Sequence, residues 1–221
     1  FAMNKFGSSP GEAGLVAGIF IFGALIARLF SGRWIARIGQ KKTLYTGLVL
    51  GVASTGLYFG TNSIILLLVV RFLHGISFGI ASTAAGTIVA NIIAKERCGE
   101  GIGYFGLSVT VATAIGPYLG IFISQHGSYS MIITVCTIVA AFSLVIALFL
   151  SASDMKLTEE QLEKMKGFKL NNFFEAKVIP ISIVCMVIFF CYSSVISFFS
   201  VYSKEINLVE SASFFYIVFA S

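Results

Sequence analysis

The chain has 221 residues, of which 57% are hydrophobic and 11% charged, and a soluble domain would carry roughly 25% charged residues. Its formal net charge of +5 would suit a nucleic-acid partner, but the positions of the basic residues explain that charge without one. Neither a CxxC pair nor a metal-type spacing with histidine occurs. We therefore expect no metal, no other cofactor and no disulfide framework, and buried apolar side chains at Cys98, Cys136, Cys185 and Cys191.

Apolar runs recur along the whole chain. A hydrocarbon core about 30 Å thick needs roughly 20 helical residues to cross it. Six complete runs and one incomplete run predict an all-α polytopic membrane protein, a helical bundle that is truncated because the chain opens on Phe1 and closes within an apolar run. The predicted spans are 13–31, 43–60, 64–93, 101–124, 128–151 and 178–202, with a partial span at 211–221.

Basic residues are concentrated on one side of the predicted membrane. The connections at 32–42, 95–100 and 152–177 hold eleven of the 15 Lys and Arg residues, and the connections on the other side hold two. The positive-inside rule places the first group in the cytoplasm, as in a multi-pass protein of the plasma (inner) membrane. Arg28 and Arg71 lie within spans, whereas all ten acidic residues fall in connections or at span edges.

The connection between the first two spans carries the strongest motif. Over residues 32–42 it reads Gly-Arg-Trp-Ile-Ala-Arg-Ile-Gly-Gln-Lys-Lys, and its glycines permit close approach and a tight turn. It resembles the signature loop of the major facilitator superfamily of transporters, Gly-x-x-x-Asp-Arg-x-Gly-Arg-Lys/Arg. Ala36 stands where the family has Asp, so the family's charge relay is not implied here. The matching residues, which the resemblance assigns to gating, are Gly32, Arg37, Gly39, Lys41 and Lys42.

The third span contains Arg71, a cation about seven residues inside the apolar run. Such a cation normally faces a cavity or a partner, the alternative being a side chain that snorkels to the outer interface. Gly75 and Gly79 form a helix-packing face. The family has a similar Arg-x-x-x-Gly-x-x-x-Gly segment in its fourth helix, which implies proton coupling at Arg71. His74 lies on roughly the same face, either as a substrate-contact candidate or as a packing residue.

The fourth and sixth spans carry weaker features. The segment around Gly116, Pro117 and Gly120 resembles the Gly-x-x-x-Gly-Pro-x-x-Gly-Gly motif of family exporters, and the alternative is a kinked packing helix. In the sixth span, the family's cavity-lining seventh helix by resemblance, Tyr192 and Ser193 are substrate-contact candidates or interhelical hydrogen-bonding residues. We also expect Glu96 or Glu100 to pair with the cations at Arg37–Lys42.

The resemblance implies a fragment covering about helices two to eight of a twelve-helix transporter of the multidrug-efflux proton antiporter branch. Residues 1–151 would be an N-terminal half without its first helix, 152–177 a cytoplasmic linker with an amphipathic helix, and 178–221 the start of the C-terminal half. The implied function is secondary active, proton-coupled export of a small amphipathic organic compound by a monomer. The alternatives are an uptake symporter or a membrane protein outside transport. No catalytic residues are apparent, so an enzyme is not expected.

Overall fold

A computed structural model describes residues 5–150, 178–205 and 215, and these residues contain helices and no strand. The predicted linker helix at 152–177 and nearly all of the partial span at 211–221 lie outside the described residues. Each of the six complete predicted spans coincides with one helix. The helices are α1 (Pro10–Ile38), α2 (Gln40–Leu57), α3 (Ile64–Ile92), α4 (Cys98–His126), α5 (Tyr129–Leu148) and α6 (Ile179–Glu205).

Four of the described helices are long and apolar enough to cross a membrane, namely α1 from Gly11 onward, α3, α4 and α5. Helix α2 has 18 residues, and its length of about 27 Å, at 1.5 Å per residue, is close to the thickness of the hydrocarbon core. The predicted fold class, an all-α polytopic membrane bundle, is confirmed.

Serine caps mark where three helices begin. Ser9 Oγ accepts a hydrogen bond from the Glu12 backbone N–H at 3.3 Å, while the Ser9 N–H donates to Glu12 Oε2 at 2.7 Å, which is a capping box. Ser63 caps α3 and Ser128 caps α5 in the simpler way, each accepting from an N–H three residues later. The polar residue before each apolar run therefore sets the first turn of the helix.

Residues 32–42, which the sequence predicts to be a loop between two spans, are almost entirely helical, so that prediction is wrong. Helix α1 continues to Ile38, because residues 32–38 include no proline and favour continued helix, and the chain breaks at Gly39 alone. Gly39 has φ 92° and ψ 156°, a conformation that is essentially restricted to glycine. Gly32 is exposed within α1, and a Cβ placed on it would have no described atom within 4 Å, so the expected approach of two helix ends at Gly32 is not found.

Helix α3 packs against both α1 and α2, and α2 packs against α5. A Cβ at Gly47 of α2 would lie 2.6 Å from the backbone nitrogen of Ala81, so the absence of a side chain lets α2 and α3 touch. Leu44, Ala84, Ile88 and Ala147 form a buried apolar cluster where α2, α3 and α5 meet. These contacts fix α3 as the central helix of this group.

The described chain divides into two compact units. One contains α1, α2, α3, α5 and the start of α4, and the other contains Gly106–His126 of α4 together with α6. The prediction that the cysteines are buried is wrong, since Cys98 is half-buried and the other three are exposed. An apolar side chain on a membrane helix can face lipid as readily as a neighbouring helix, so hydropathy did not predict burial.

Candidate functional site

Arg71 reaches sideways from α3 to α1. Its Nε donates a hydrogen bond to the Val16 backbone oxygen at 3.0 Å, and its guanidinium carbon lies 5.0 Å from the centre of the Phe20 ring, a cation–π arrangement. The side chain is half-buried. Because these partners belong to the neighbouring helix, the guanidinium is held between α1 and α3 and does not follow the snorkelling geometry of the alternative interpretation.

His74 lies one turn below Arg71 and joins the same cluster. Its Nδ1 is 3.3 Å from the Tyr58 hydroxyl, which belongs to the short turn that follows α2. The Phe20 ring meets the His74 ring edge to face at 5.4 Å. The Phe20 ring that meets His74 is also the ring beside the Arg71 guanidinium. A cation, an imidazole and a phenol therefore share one site formed by α1, the end of α2 and α3.

Two glycines allow α1 and α3 to approach closely enough to form this cluster. A Cβ at Gly75 would collide with the Phe20 backbone oxygen, and a Cβ at Gly79 would lie 2.5 Å from the Ala24 backbone oxygen. Both glycines are buried. No described atom lies within 4 Å of a Cβ placed on Gly86, so Gly86 does not continue this pattern. The contacts that depend on these glycines therefore lie in the two helical turns that follow Arg71.

The signature segment is linked to α3 by a pair that sequence reasoning missed. Asn91 Nδ2 donates to Gln40 Oε1 at 2.7 Å, and Gln40 is 2% exposed at the start of α2. The hydroxyl of Thr43 donates to the Gly39 backbone oxygen at 2.8 Å and closes the turn. Gln40 occupies the place of the second arginine in the family motif, so a neutral amide pair holds this turn against the end of α3.

The predicted cationic residues of the segment lie on both sides of the turn. Arg37 is exposed in the last turn of α1, and Lys42 is exposed in the first turn of α2, whereas Lys41 is half-buried. For Glu100, the structure shows an ion pair with Arg97, whose Nη2 lies 2.8 Å from Glu100 Oε1. Pairing of Glu96 or Glu100 with the cations of Arg37–Lys42 stays a prediction.

The remaining candidates belong to the other unit. Helix α4 continues through Pro117, and no described atom lies within 4 Å of a Cβ placed on Gly116 or Gly120. In α6, Tyr192 contacts Phe189 with ring centres 6.4 Å apart, and Ser193 Oγ donates to the Phe190 backbone oxygen at 3.1 Å. Packing at the glycines and substrate contact at Tyr192 and Ser193 stay predictions.

No group of three or more residues that could hold a metal ion occurs among the described residues. The cluster around Arg71 offers fixed positive charge, hydrogen-bonding groups and aromatic faces within a membrane span. Those features suit the binding of a charged or polar solute and the handling of protons.

Comparison with known proteins places this arrangement in a family. The family model described as the Major Facilitator Superfamily matches residues 1–221. Multidrug resistance protein 2 of Bacillus subtilis is 26% identical over 203 residues, which cover 87% of this chain and 50% of that protein. The multi-drug resistance efflux pump PmrA of Streptococcus pneumoniae is 26% identical over 222 residues, covering 96% of this chain and 54% of the pump. The arabinose-proton symporter of Escherichia coli is 29% identical over 146 residues, covering 66% and 31% respectively.

The chain spans about half the length of the curated relatives that it matches over most of its own length. These relatives are named as resistance, efflux and transport proteins rather than as enzymes. The matched family covers the whole chain, including the residues of the signature segment and of the Arg71 cluster. The chain is a multi-pass membrane protein that belongs to the Major Facilitator Superfamily.

Proposed function

We propose that this chain acts in a secondary active transporter that exports a small amphipathic organic compound in exchange for protons, by alternating access. The names of the multidrug resistance and efflux relatives support export. The protein would lie in the plasma (inner) membrane as a monomer, with residues 32–42, 95–100 and 152–177 in the cytoplasm. The basic charge of those three segments supports this orientation.

The observation that carries the proposal is the position of Arg71. A guanidinium held inside a membrane span is costly unless it serves a polar site, and this one is fixed by Val16 and Phe20 rather than directed to the surface. A fixed cation lowers the proton affinity of a titratable group beside it, so a change in the distance between that group and Arg71 during alternating access would release or take up a proton. That change would link proton movement to substrate movement whatever the charge of the substrate.

The other candidate residues have assigned places in this proposal. Gly39 and the cations Arg37, Lys41 and Lys42 would act at the cytoplasmic gate. Gly116, Pro117 and Gly120 would form a packing seam that keeps the cavity closed to protons. His74, Tyr192 and Ser193 would contact the substrate.

A second candidate function is proton-coupled uptake, and the match to the arabinose-proton symporter favours it. The two functions differ in the direction of net substrate movement under the same proton gradient. The exporter-like segment around Pro117 supports export over uptake.

The test uses the full-length protein in inverted membrane vesicles, with a lumen made acidic by respiration. We expect the gradient to drive uptake of a fluorescent substrate such as ethidium, and an ionophore that collapses the gradient should stop it. Arg71→Ala should lower this uptake to the background of empty vesicles, and Arg97→Ala, a matched change at an exposed surface arginine, should not. Uptake that persists without the gradient would contradict proton-coupled export, and gradient-driven accumulation in right-side-out vesicles alone would favour the symporter.

A further inference from the structure

Two arginines and two phenylalanines form a continuous row along the α1–α3 contact. The guanidinium carbon of Arg71 lies 5.0 Å from the Phe20 ring centre, the Phe20 and Phe78 rings are 5.6 Å apart, and the guanidinium carbon of Arg28 lies 5.9 Å from the Phe78 ring centre. All four residues lie in the same compact unit. The row therefore has a cation at each end and two aromatic rings between them.

The guanidinium of Arg28 lies near the middle of α3, beside Phe78. Phe78 is the midpoint of α3, with 14 residues on either side, and at 1.5 Å per residue each end of the helix is about 21 Å away. Ala24 and Ala27 of α1 both lie beside Gly79 of α3, which fixes the register of the two helices at this level. The Arg28 guanidinium is thus near the level of the centre of α3, and secondary transporters place their substrate sites near the bilayer midplane.

The two arginines differ in how their charge is balanced. Arg71 is half-buried and bound to the Val16 carbonyl. Arg28 is exposed, and within the described part of the chain it contacts the Phe78 ring, which is itself 47% exposed. An arginine at the centre of a membrane faces a water-filled cavity or an anion, and the planar guanidinium matches the two oxygens of a carboxylate.

We propose that Arg28 binds the carboxylate of an amphipathic organic anion, while Phe78 and Phe20 contact the apolar part of that molecule. This inference rests on the proposed transport function and adds that organic anions and zwitterions are among the substrates, recognised through Arg28. Exposed aromatic rings directly beside the guanidinium offer an apolar surface next to the charge, which a molecule with both characters requires.

The test measures equilibrium binding of two dyes to the purified full-length protein in detergent by fluorescence anisotropy. Carboxyfluorescein is the anionic probe, and ethidium is the cationic one. A hydrogen-bonded charge contributes enough that we expect Arg28→Gln to weaken carboxyfluorescein binding roughly 10- to 100-fold, with ethidium affinity unchanged or increased. Arg28→Lys keeps the charge but loses the two-pronged geometry, so its loss for carboxyfluorescein should be smaller, and Arg97→Gln is the matched control.

Several outcomes would overturn the inference. The first is that the wild-type protein does not bind carboxyfluorescein. The others are that Arg28→Gln leaves the affinities for both dyes unchanged, or weakens both affinities by the same factor. A variant with lower thermal stability but the same preference between dyes would also overturn it and give Arg28 a structural role, such as its contact with Phe78. Should Arg28→Gln fail to fold, the preference measured with Arg28→Lys decides.

Binding in detergent needs no proton gradient, so this measurement is independent of coupling and of direction. Arg28-dependent binding of the anionic dye in a protein that fails the vesicle assay would refute proton-coupled export and leave the anion site intact. Gradient-driven transport of ethidium by a protein that does not bind carboxyfluorescein would refute the anion site and leave proton-coupled export intact.

Discussion

Adding a single methyl group at Gly75 tests the contact on which the Arg71 cluster depends. The new Cβ would collide with the Phe20 backbone oxygen and lie 2.8 Å from its carbonyl carbon and 3.1 Å from its Cα. Backbone atoms cannot rotate away as a side chain can, so α1 must move as a whole. Overpacking of this kind costs about 1–3 kcal/mol, and the rigid partner places Gly75→Ala near the upper end.

The matched control is Gly86→Ala in the same helix, where no described atom lies within 4 Å of the new Cβ. Both changes gain the same helix propensity, about 0.8–1.0 kcal/mol on the scale for soluble helices, so the difference between them isolates the collision. Titration of the full-length protein with a denaturing detergent should show Gly75→Ala about 3 kcal/mol less stable than Gly86→Ala. Equal stabilities for the two variants would refute the close α1–α3 packing described above.

Two further predictions concern the turn at the cytoplasmic end. Gly39→Ala should lower the free energy of unfolding by about 1–3 kcal/mol, because φ 92° is strained for any residue with a Cβ. The control Gly32→Ala, at an exposed position within α1, should be neutral or stabilising. Equal losses of stability for the two variants would contradict the described backbone conformation at Gly39. Asn91→Ala should lower the free energy of unfolding by about 1–2 kcal/mol, because the buried Gln40 amide loses its hydrogen bond to Asn91. A double-mutant cycle with Gln40→Ala should give a coupling energy of about 1 kcal/mol between the two residues. Strictly additive losses would show that the two amides do not interact.

The positions of the helices could be predicted from hydropathy, because a segment that crosses the bilayer as a helix must be long and apolar. The end of α1 did not, because residues 32–38 combine cations with Trp34 and Ile35, and charge alone indicated a loop. Helix α1 ends where the backbone leaves the helical range of φ and ψ, which happens at Gly39. The motif therefore indicated the residue at which the helix breaks, Gly39, but it did not indicate that α1 continues up to that residue.

The site was predicted in part for a similar reason. An arginine inside an apolar run is conspicuous, so the sequence alone points to Arg71. Its partners Val16 and Phe20 are ordinary residues of another helix, and only the register between the two helices brings them to Arg71. The same holds for Gln40 and Asn91, which are 51 residues apart.

The measurement that tests the central claim most directly compares two transport modes of Arg71→Ala in vesicles of the full-length protein. Proton-driven accumulation requires coupling, whereas exchange of labelled for unlabelled substrate across the membrane requires substrate binding and alternating access without net proton movement. If Arg71 couples protons to export, the variant should lose accumulation and retain exchange within a few-fold of wild type. Retention of both modes would contradict a coupling role for Arg71, and loss of both would assign Arg71 to substrate binding or folding instead.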